Sequence, residues 1–265
     1  MPLDYPKINV GLLGLGVVGS RLAKYLLEET SPSGSPSIAN FNLKSILVND
    51  FRKKRSFQPS PEILTDNPEE ILQDPTISIV VELIGGEYPA IDFITKAINA
   101  GKHVVTANKE VIAKHGSFLS DLAHNAGVEL KFEASVGGGI PTIGPLINDL
   151  SANRISSIRA IINGTTNFIL SKMANENMDF LSAVSEAQSL GFAEANPKND
   201  VEGTDAAYKL AILASLAFHT SLDPSKIYRE GIEGLDAKDF LYAHELGREI
   251  KLLAIAKRLD ERTIE

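Results

Sequence analysis

INVGLLGLGVVGSRLAKYLLEE, residues 8–29, decides how the first half of the chain folds. The apolar run at 8–13 leads directly into Gly14, Gly16 and Gly19, and helical periodicity takes over from Ser20. This is the order strand, glycine turn, helix. Gly14 permits a tight turn, Gly16 lets a pyrophosphate approach the backbone, and Gly19 lets the helix pack closely on the strand; the helix start adds N–H donors and the positive end of its dipole. Gly14, Leu15, Gly16, Val17, Val18 and Gly19 are therefore candidate dinucleotide contacts, with a merely structural glycine turn as the alternative.

The same rhythm continues downstream. A second strand is expected at 43–49, reached through TSPSGSPSIAN, a Ser-, Pro- and Gly-rich loop at 30–40 that lengthens the usual spacing. The strand ends at Asp50, the residue type that bonds an adenosine ribose, and Arg52, Lys53, Lys54 and Arg55 follow at once. Asp50 favours NAD, whereas Arg52 and its basic neighbours suit the 2′-phosphate of NADP; the reading leans to NADP with NAD use left open, and a solvated charged loop is the other account. ISIVVELIGG at 77–86 reads as a buried strand closing on Gly85 and Gly86, with Gly85 in the candidate cofactor set. A helix at 89–99, a strand in HVVTANK, a helix at 111–125 and a strand in VELKFEAS complete the series. The fold class is α/β, with an N-terminal Rossmann-like, doubly wound parallel sheet. Ligands of such sheets lie beyond the strand carboxyl ends, where Lys109 falls; a surface lysine capping a loop is the alternative.

At 133–141, EASVGGGIP is too glycine-rich for regular structure, and its exposed carbonyls suit either a hard cation or a plain hinge. We place the domain boundary there: 1–135 for the dinucleotide, 136–265 for an α+β substrate and catalytic domain. The second domain should hold a helix at 142–151, a strand at 156–162, and a helix opened by NGTTN at 163–167. Thr165 and Thr166 are either N-caps or part of a helix start that holds a carboxylate. YAHELGREIKLLAIAKRL, 242–259, reads as a surface helix with one apolar face.

Residues 187–209, AQSLGFAEANPKNDVEGTDAAYK, concentrate ionisable groups where an all-round apolar helix begins. Within 206–218 Lys209 is the only formally charged side chain, and Asp205 lies four residues before it on the same face. The row continues to Ile212 and Leu216, so the pair should point into protein. A helical salt bridge is one reading; a lysine tuned for proton transfer by burial and a carboxylate is the other. Glu194 and Asp200 add carboxylates, and Gly191 and Gly203 allow close backbone approach.

Ala187, Gly191, Phe192, Ala193, Asn196-Pro197, Asp200-Val201, Gly203, Asp205 and Lys209 together resemble the homoserine dehydrogenase signature without departure. With the glycine fingerprint, TANK and GGGIP, the resemblance extends over essentially the whole chain. It implies interconversion of L-homoserine and L-aspartate 4-semialdehyde with NADP or NAD, in threonine, methionine and isoleucine biosynthesis. Lys209 is then the first choice for proton donor and Lys109 the second, as donor or carbonyl polariser. Asp205 would hold substrate and tune Lys209, and Glu194 would take the substrate ammonium. Gly164, Thr165, Gly191 and Asp200 complete the substrate set, while Lys109, Gly191 and Glu194 also meet the cofactor. A monovalent cation, Na+ or K+, falls to the Glu133 side chain and the main chain of Val136, Gly138 and Ile140. Family members usually run on through a C-terminal return segment, so a truncated form is expected, homodimeric if that segment is dispensable and without feedback control. A non-catalytic NAD(P)-binding module and another amino- or keto-acid reductase are the alternatives.

Composition narrows the field further. A net charge of −8 argues against nucleic acid or an anionic membrane as partner. With no cysteine there is no disulfide, thiolate metal site or cysteine nucleophile. No apolar run is long enough to span a bilayer and MPLDYPKINV lacks a secretory pattern, which makes the cytoplasm the expected compartment. The histidines at 103, 115, 124, 219 and 244 lack metal-ligand spacing and are assigned no chemistry.

Overall fold

The computed structural model describes residues 7–28, 40–260 and 263–265; most of the Ser/Pro/Gly-rich loop expected at 30–40 lies outside them. The chain packs as two units, Met1–Ile140 and Pro141–Glu265.

The first unit alternates β1 (Ile8–Leu13), α1 (Val17–Leu27), β2 (Phe41–Leu47), β3 (Leu64–Thr65), α2 (Glu69–Leu72), β4 (Ile77–Glu82), α3 (Ala90–Asn99), β5 (His103–Thr106), α4 (Lys109–Ala126) and β6 (Leu130–Lys131). All six strands are parallel, in the order β3-β2-β1-β4-β5-β6. The apolar strand runs are buried, as a sheet covered on both faces requires: Val10, Leu12, Leu43, Ile46 and Val81 form one cluster with Leu15 and Ala23. On α3 the buried side chains Ile91, Ile94, Ala97 and Ile98 recur at helical spacing. The chain leaves β1 for β2 on one side and resumes on the other at β4. That reversal opens a crevice beyond the carboxyl ends of β1 and β4, where ligands of such sheets bind. The strand read in VELKFEAS pairs only over β6, because a 3-10 turn at Glu133–Ser135 follows.

At the opposite end of the sheet a polar group closes the α2–β4 connection. Lys44 Nζ donates to Asp74 Oδ2 and to Thr76 Oγ1, both at 2.6 Å, while the Thr76 N–H and hydroxyl reach Asp74 Oδ1 at 2.8 Å. These donors, Lys44 first, hold the Asp74 carboxyl at about 2 instead of its ordinary 3.8. A depressed carboxyl pKa contributes stability that is fully present above the ordinary value and lost as pH falls through the folded one. The stability advantage of the parent over Asp74→Asn should therefore be constant near neutrality and shrink between about pH 4 and about pH 2. Urea midpoints measured across that range would show it; a pH-independent difference would refute the coupling.

The second unit contains α5 (Ile143–Ile147), β7 (Ser157–Ala160), α6 (Gly164–Glu176), α7 (Phe180–Ser189), α8 (Lys198–Val201), α9 (Thr204–Phe218), α10 (Ala237–Glu245) and β8 (Ala254–Lys257). Strands β7 and β8 pair antiparallel. Leu210, Ala214, Ala217 and Phe218 of α9 form a core with Ala254 and Ala256 of β8. A second core joins Ile169, Leu170 and Met173 of α6 with Ala183, Ala187, Val201, Ile232 and Phe240. The expected helix over 242–259 is corrected: α10 ends at Glu245, Gly247 adopts φ +64°, and 254–257 is strand. Two effects decide this. Glycine takes the left-handed conformation that stops a helix, and Ala254 and Ala256 turn inward while Ile255 and Lys257 turn outward, the period of a strand.

Candidate active site

In the first unit the glycine turn is built by close backbone packing. Gly14 has φ +99°, and a Cβ there would lie 2.8 Å from the Leu83 carbonyl oxygen. A Cβ on Gly19 would overlap the Gly14 carbonyl oxygen, whereas one on Gly16 would meet nothing within 4 Å. Space above Gly16, no side-chain cap on α1, and exposed Val17 and Val18 together leave the helix start open to an anion. The turn thus fits a pyrophosphate. At the end of β2, Asp50 is exposed and its Oδ1 accepts the Arg52 N–H at 2.7 Å.

The last residue of β4 is a buried carboxylate that sequence reasoning missed. Glu82 is fully buried; its Oε1 accepts the Ile84 N–H at 2.7 Å and its Oε2 the Thr106 hydroxyl at 2.6 Å. Thr106 Oγ1 in turn accepts the Asn108 N–H at 2.9 Å, and Asn108 Nδ2 donates to the Gly86 carbonyl at 2.7 Å. Asn108 Oδ1 caps α4 through the Val111 N–H at 3.2 Å, so the network fixes both the Gly85–Gly86 loop and the first helical residue, Lys109. Glu87 secures the same loop through Lys114 Nζ at 2.6 Å and His115 Nε2 at 2.8 Å, which lower its carboxyl pKa, Lys114 most.

The segment carrying Glu133, Val136, Gly138 and Ile140 turns through left-handed Gly137 and Gly138. The Ser135 hydroxyl within it is buried and has no hydrogen-bond partner among the described residues. The oxygens this segment carries, the Glu133 carboxylate and its main-chain carbonyls, are of the type that hard cations take.

In the second unit the sequence-predicted pair meets as a close contact. Lys209 Nζ lies 2.7 Å from Asp205 Oδ2 and donates to the Ile162 carbonyl at 3.0 Å; the side chains are 18% and 2% exposed. Asp205 sits in the first turn of α9, where the helix dipole favours a negative charge. Asp200, half-buried on α8, joins the pair through a residue not singled out from sequence: Asn163 Nδ2 donates to Asp200 Oδ1 at 2.7 Å and to Asp205 Oδ2 at 2.8 Å. One amide thus holds two carboxylates together.

Asn163 is also the N-cap of α6, accepting the Thr166 N–H at 2.8 Å. Neither threonine caps the helix, therefore. Thr166 returns its hydroxyl to Asn163, and Thr165 Oγ1 donates to the Phe192 carbonyl at 2.7 Å, docking the loop that carries Gly191 and Glu194. Phe192 stacks on Phe168 at 4.7 Å between centroids, and Gln188 Nε2 donates to the Glu194 carbonyl at 3.1 Å. The Glu194 side chain is exposed, and Gly164 has open space where a Cβ would stand.

The cap falls on Asn163 and not on Thr165 or Thr166, the residues read as candidates, because the helix already begins at Gly164. The bridging role of Asn163 was not legible either, since Asp200 and Asp205 lie 37 and 42 residues away. A cap alone tolerates Asp in place of Asn. Asn163→Asp should instead destabilise the chain by about 2 kcal/mol or more at neutral pH, because a third carboxylate replaces the shared donor. Chemical denaturation would measure it; a variant as stable as the parent would reduce Asn163 to a cap.

The matches to known proteins follow the same division. Residues 14–133 match the family profile described as homoserine dehydrogenase, NAD binding domain, and residues 141–264 match that described as homoserine dehydrogenase. A homoserine dehydrogenase of Synechocystis sp. is 48% identical over 250 residues, covering 94% of this chain and 57% of that protein. The crystal structure of a homoserine dehydrogenase from Thiobacillus denitrificans superposes with a TM-score of 0.89 at 44% identity, over 97% of this chain and 59% of that one. A hyperthermophilic archaeal homoserine dehydrogenase in complex with NADPH gives 0.76 at 29% identity, over 95% and 79%. The chain thus spans less than two thirds of the Synechocystis and Thiobacillus proteins. With a glycine turn shaped for a dinucleotide, a lysine-centred carboxylate cluster, and profiles covering both units, the chain belongs to the homoserine dehydrogenase family.

Proposed function

We propose that this chain carries the NAD(P)-dependent interconversion of L-homoserine and L-aspartate 4-semialdehyde. The observation that carries the reading is the cluster in which Lys209 Nζ touches Asp205 while Asn163 joins Asp205 to Asp200. Two carboxylates against one ammonium leave that cluster with excess negative charge, which suits an amino acid's ammonium group. Glu194 and Asp200 would take this ammonium, and the start of α6 at Gly164 and Thr165 the carboxylate. An ammonium has three N–H donors; Lys209 directs two at Asp205 and Ile162, and the third would serve the substrate oxygen. In the reducing direction the carbonyl oxygen must gain a proton as its carbon gains hydride, and Lys209 would supply it. Lys109, fixed by the Glu82 network, is the second candidate for donor or polariser.

Gly14–Gly19 would hold the cofactor pyrophosphate, Asp50 and Arg52 its adenosine ribose, and Gly85 its other end; a bound nicotinamide supplies or accepts the hydride. NADPH in the archaeal relative and the basic residues after Asp50 favour NADP over NAD. A monovalent cation would rest on Glu133 and the main chain of Val136, Gly138 and Ile140, in an organising role. Among the described residues no helix is long and apolar enough to cross a membrane; a cytoplasmic homodimer is the proposed setting.

The test is direct. L-Homoserine with NADP+ should yield reduced nicotinamide, and the semialdehyde with NADPH should consume it. Dinucleotide binding without turnover of either compound would make this a binding module, and faster turnover of another hydroxy acid would make it a different reductase.

A further inference from the structure

The basic cluster after Asp50 is not uniform. Arg52, Lys53 and Lys54 are exposed, whereas Arg55 is half-buried and each of its three guanidinium nitrogens donates to a main-chain carbonyl. Nε reaches Leu15 at 3.1 Å, Nη1 reaches Lys53 at 3.0 Å, and Nη2 reaches Asp50 at 2.7 Å. Leu15 lies inside the glycine turn and Asp50 just beyond β2, so one side chain spans the two segments that would hold a dinucleotide's pyrophosphate and adenosine ribose. The loop is secured a little further on, where Phe57 packs against the cluster of Val10, Leu15 and Leu43. A guanidinium is a planar fork and fixes both the spacing and the angle of the carbonyls it joins; an ammonium on a flexible stem does not.

We infer that Arg55 is a positioning residue that sets the distance between the glycine turn and Asp50. It governs affinity for the portion NAD and NADP share and takes no part in telling them apart. Discrimination falls to Arg52, which is exposed and whose N–H already orients the Asp50 carboxylate. The inference rests on the dinucleotide site of the proposed function, and the experiment separates the two.

NADH and NADPH are titrated into the whole chain by nicotinamide fluorescence, with no substrate present. A charge-assisted hydrogen bond lost from the clasp corresponds to roughly tenfold or more in Kd. Arg55→Lys should raise Kd for both dinucleotides by that order and by the same factor, and Arg52→Ala should weaken NADPH alone. Arg55→Ala should show the same common loss, with methylguanidinium restoring both affinities. A phosphate-reading arginine predicts the reverse: Arg55→Lys tolerated, or NADPH lost selectively. Either result overturns the inference. Should circular dichroism show Arg55→Lys unfolded, Arg55→Gln carries the same comparison. A parent chain that binds neither dinucleotide removes the cofactor site itself and the inference with it, whereas a parent that binds both while Arg55 variants match it removes only the inference.

Discussion

Replacing Lys209 by arginine should lower turnover by roughly 10²–10⁴-fold, the range that a positioned proton donor contributes, while dinucleotide binding stays near that of the parent. The choice of arginine matters because Asp205 is almost wholly buried. Lys209→Ala strips that carboxylate of its cation, and removing one partner of a buried pair costs about 3–5 kcal/mol. Loss of activity in the alanine variant would then mix chemistry with damage to α9. Arginine keeps a cation beside Asp205 and donors for the Ile162 carbonyl, yet a guanidinium does not release its proton in proteins. Steady-state rates for both variants, read beside their denaturation midpoints, separate the two effects. Near-parent turnover in Lys209→Arg would move the proton transfer elsewhere, with Lys109 the next candidate.

Gly19→Ala and Gly16→Ala should fail in opposite ways. The new methyl at position 19 runs into the Gly14 carbonyl oxygen, a backbone atom that cannot swing aside, so α1 must shift from β1. Overpacking of this kind costs about 1–3 kcal/mol, and the lost turn geometry should weaken dinucleotide binding with it. The methyl at position 16 meets open space, so the fold should be unaffected within about 0.5 kcal/mol. That space is where a pyrophosphate would approach, and an intruding methyl should cost roughly ten- to a hundredfold in Kd. Titration calorimetry with NADPH together with thermal melts gives both quantities. A Gly16→Ala chain of full affinity would show that the phosphates do not pass over this residue.

What was legible in the sequence is what local geometry fixes. The strand, glycine turn and helix at 8–29 depend on neighbours within one turn of chain, and the doubly wound parallel sheet followed once the alternation was recognised, whereas the strand order came from the structure. Asp205 and Lys209 face alike because residues four apart on a helix must. The contacts that organise the candidate site are of another kind. Asn163 meets Asp200 and Asp205, Arg55 meets Leu15, and Glu82 meets Thr106 across 24 to 42 residues, with no periodicity to announce them. Arg55 was also hidden by its company, since its role depends on which carbonyls surround it and four basic residues in a run look alike. The helix expected over 242–259 failed for a different reason: its apolar spacing suits more than one period, and Gly247 was the punctuation that should have divided it.

Glu82 carries one further consequence. Its two oxygens fasten the Ile84 amide, just past β4 in a part-buried bond, and the Thr106 hydroxyl, at the end of β5 in a buried one. Ile84 and Asn108 should therefore hold their amide protons longer than the exposed residues around them, since release breaks the bonds to Glu82 and to Thr106. In hydrogen-exchange terms the Ile84 and Asn108 amides should group with strands β4 and β5 more than with the exposed residues Gly85 and Gly86.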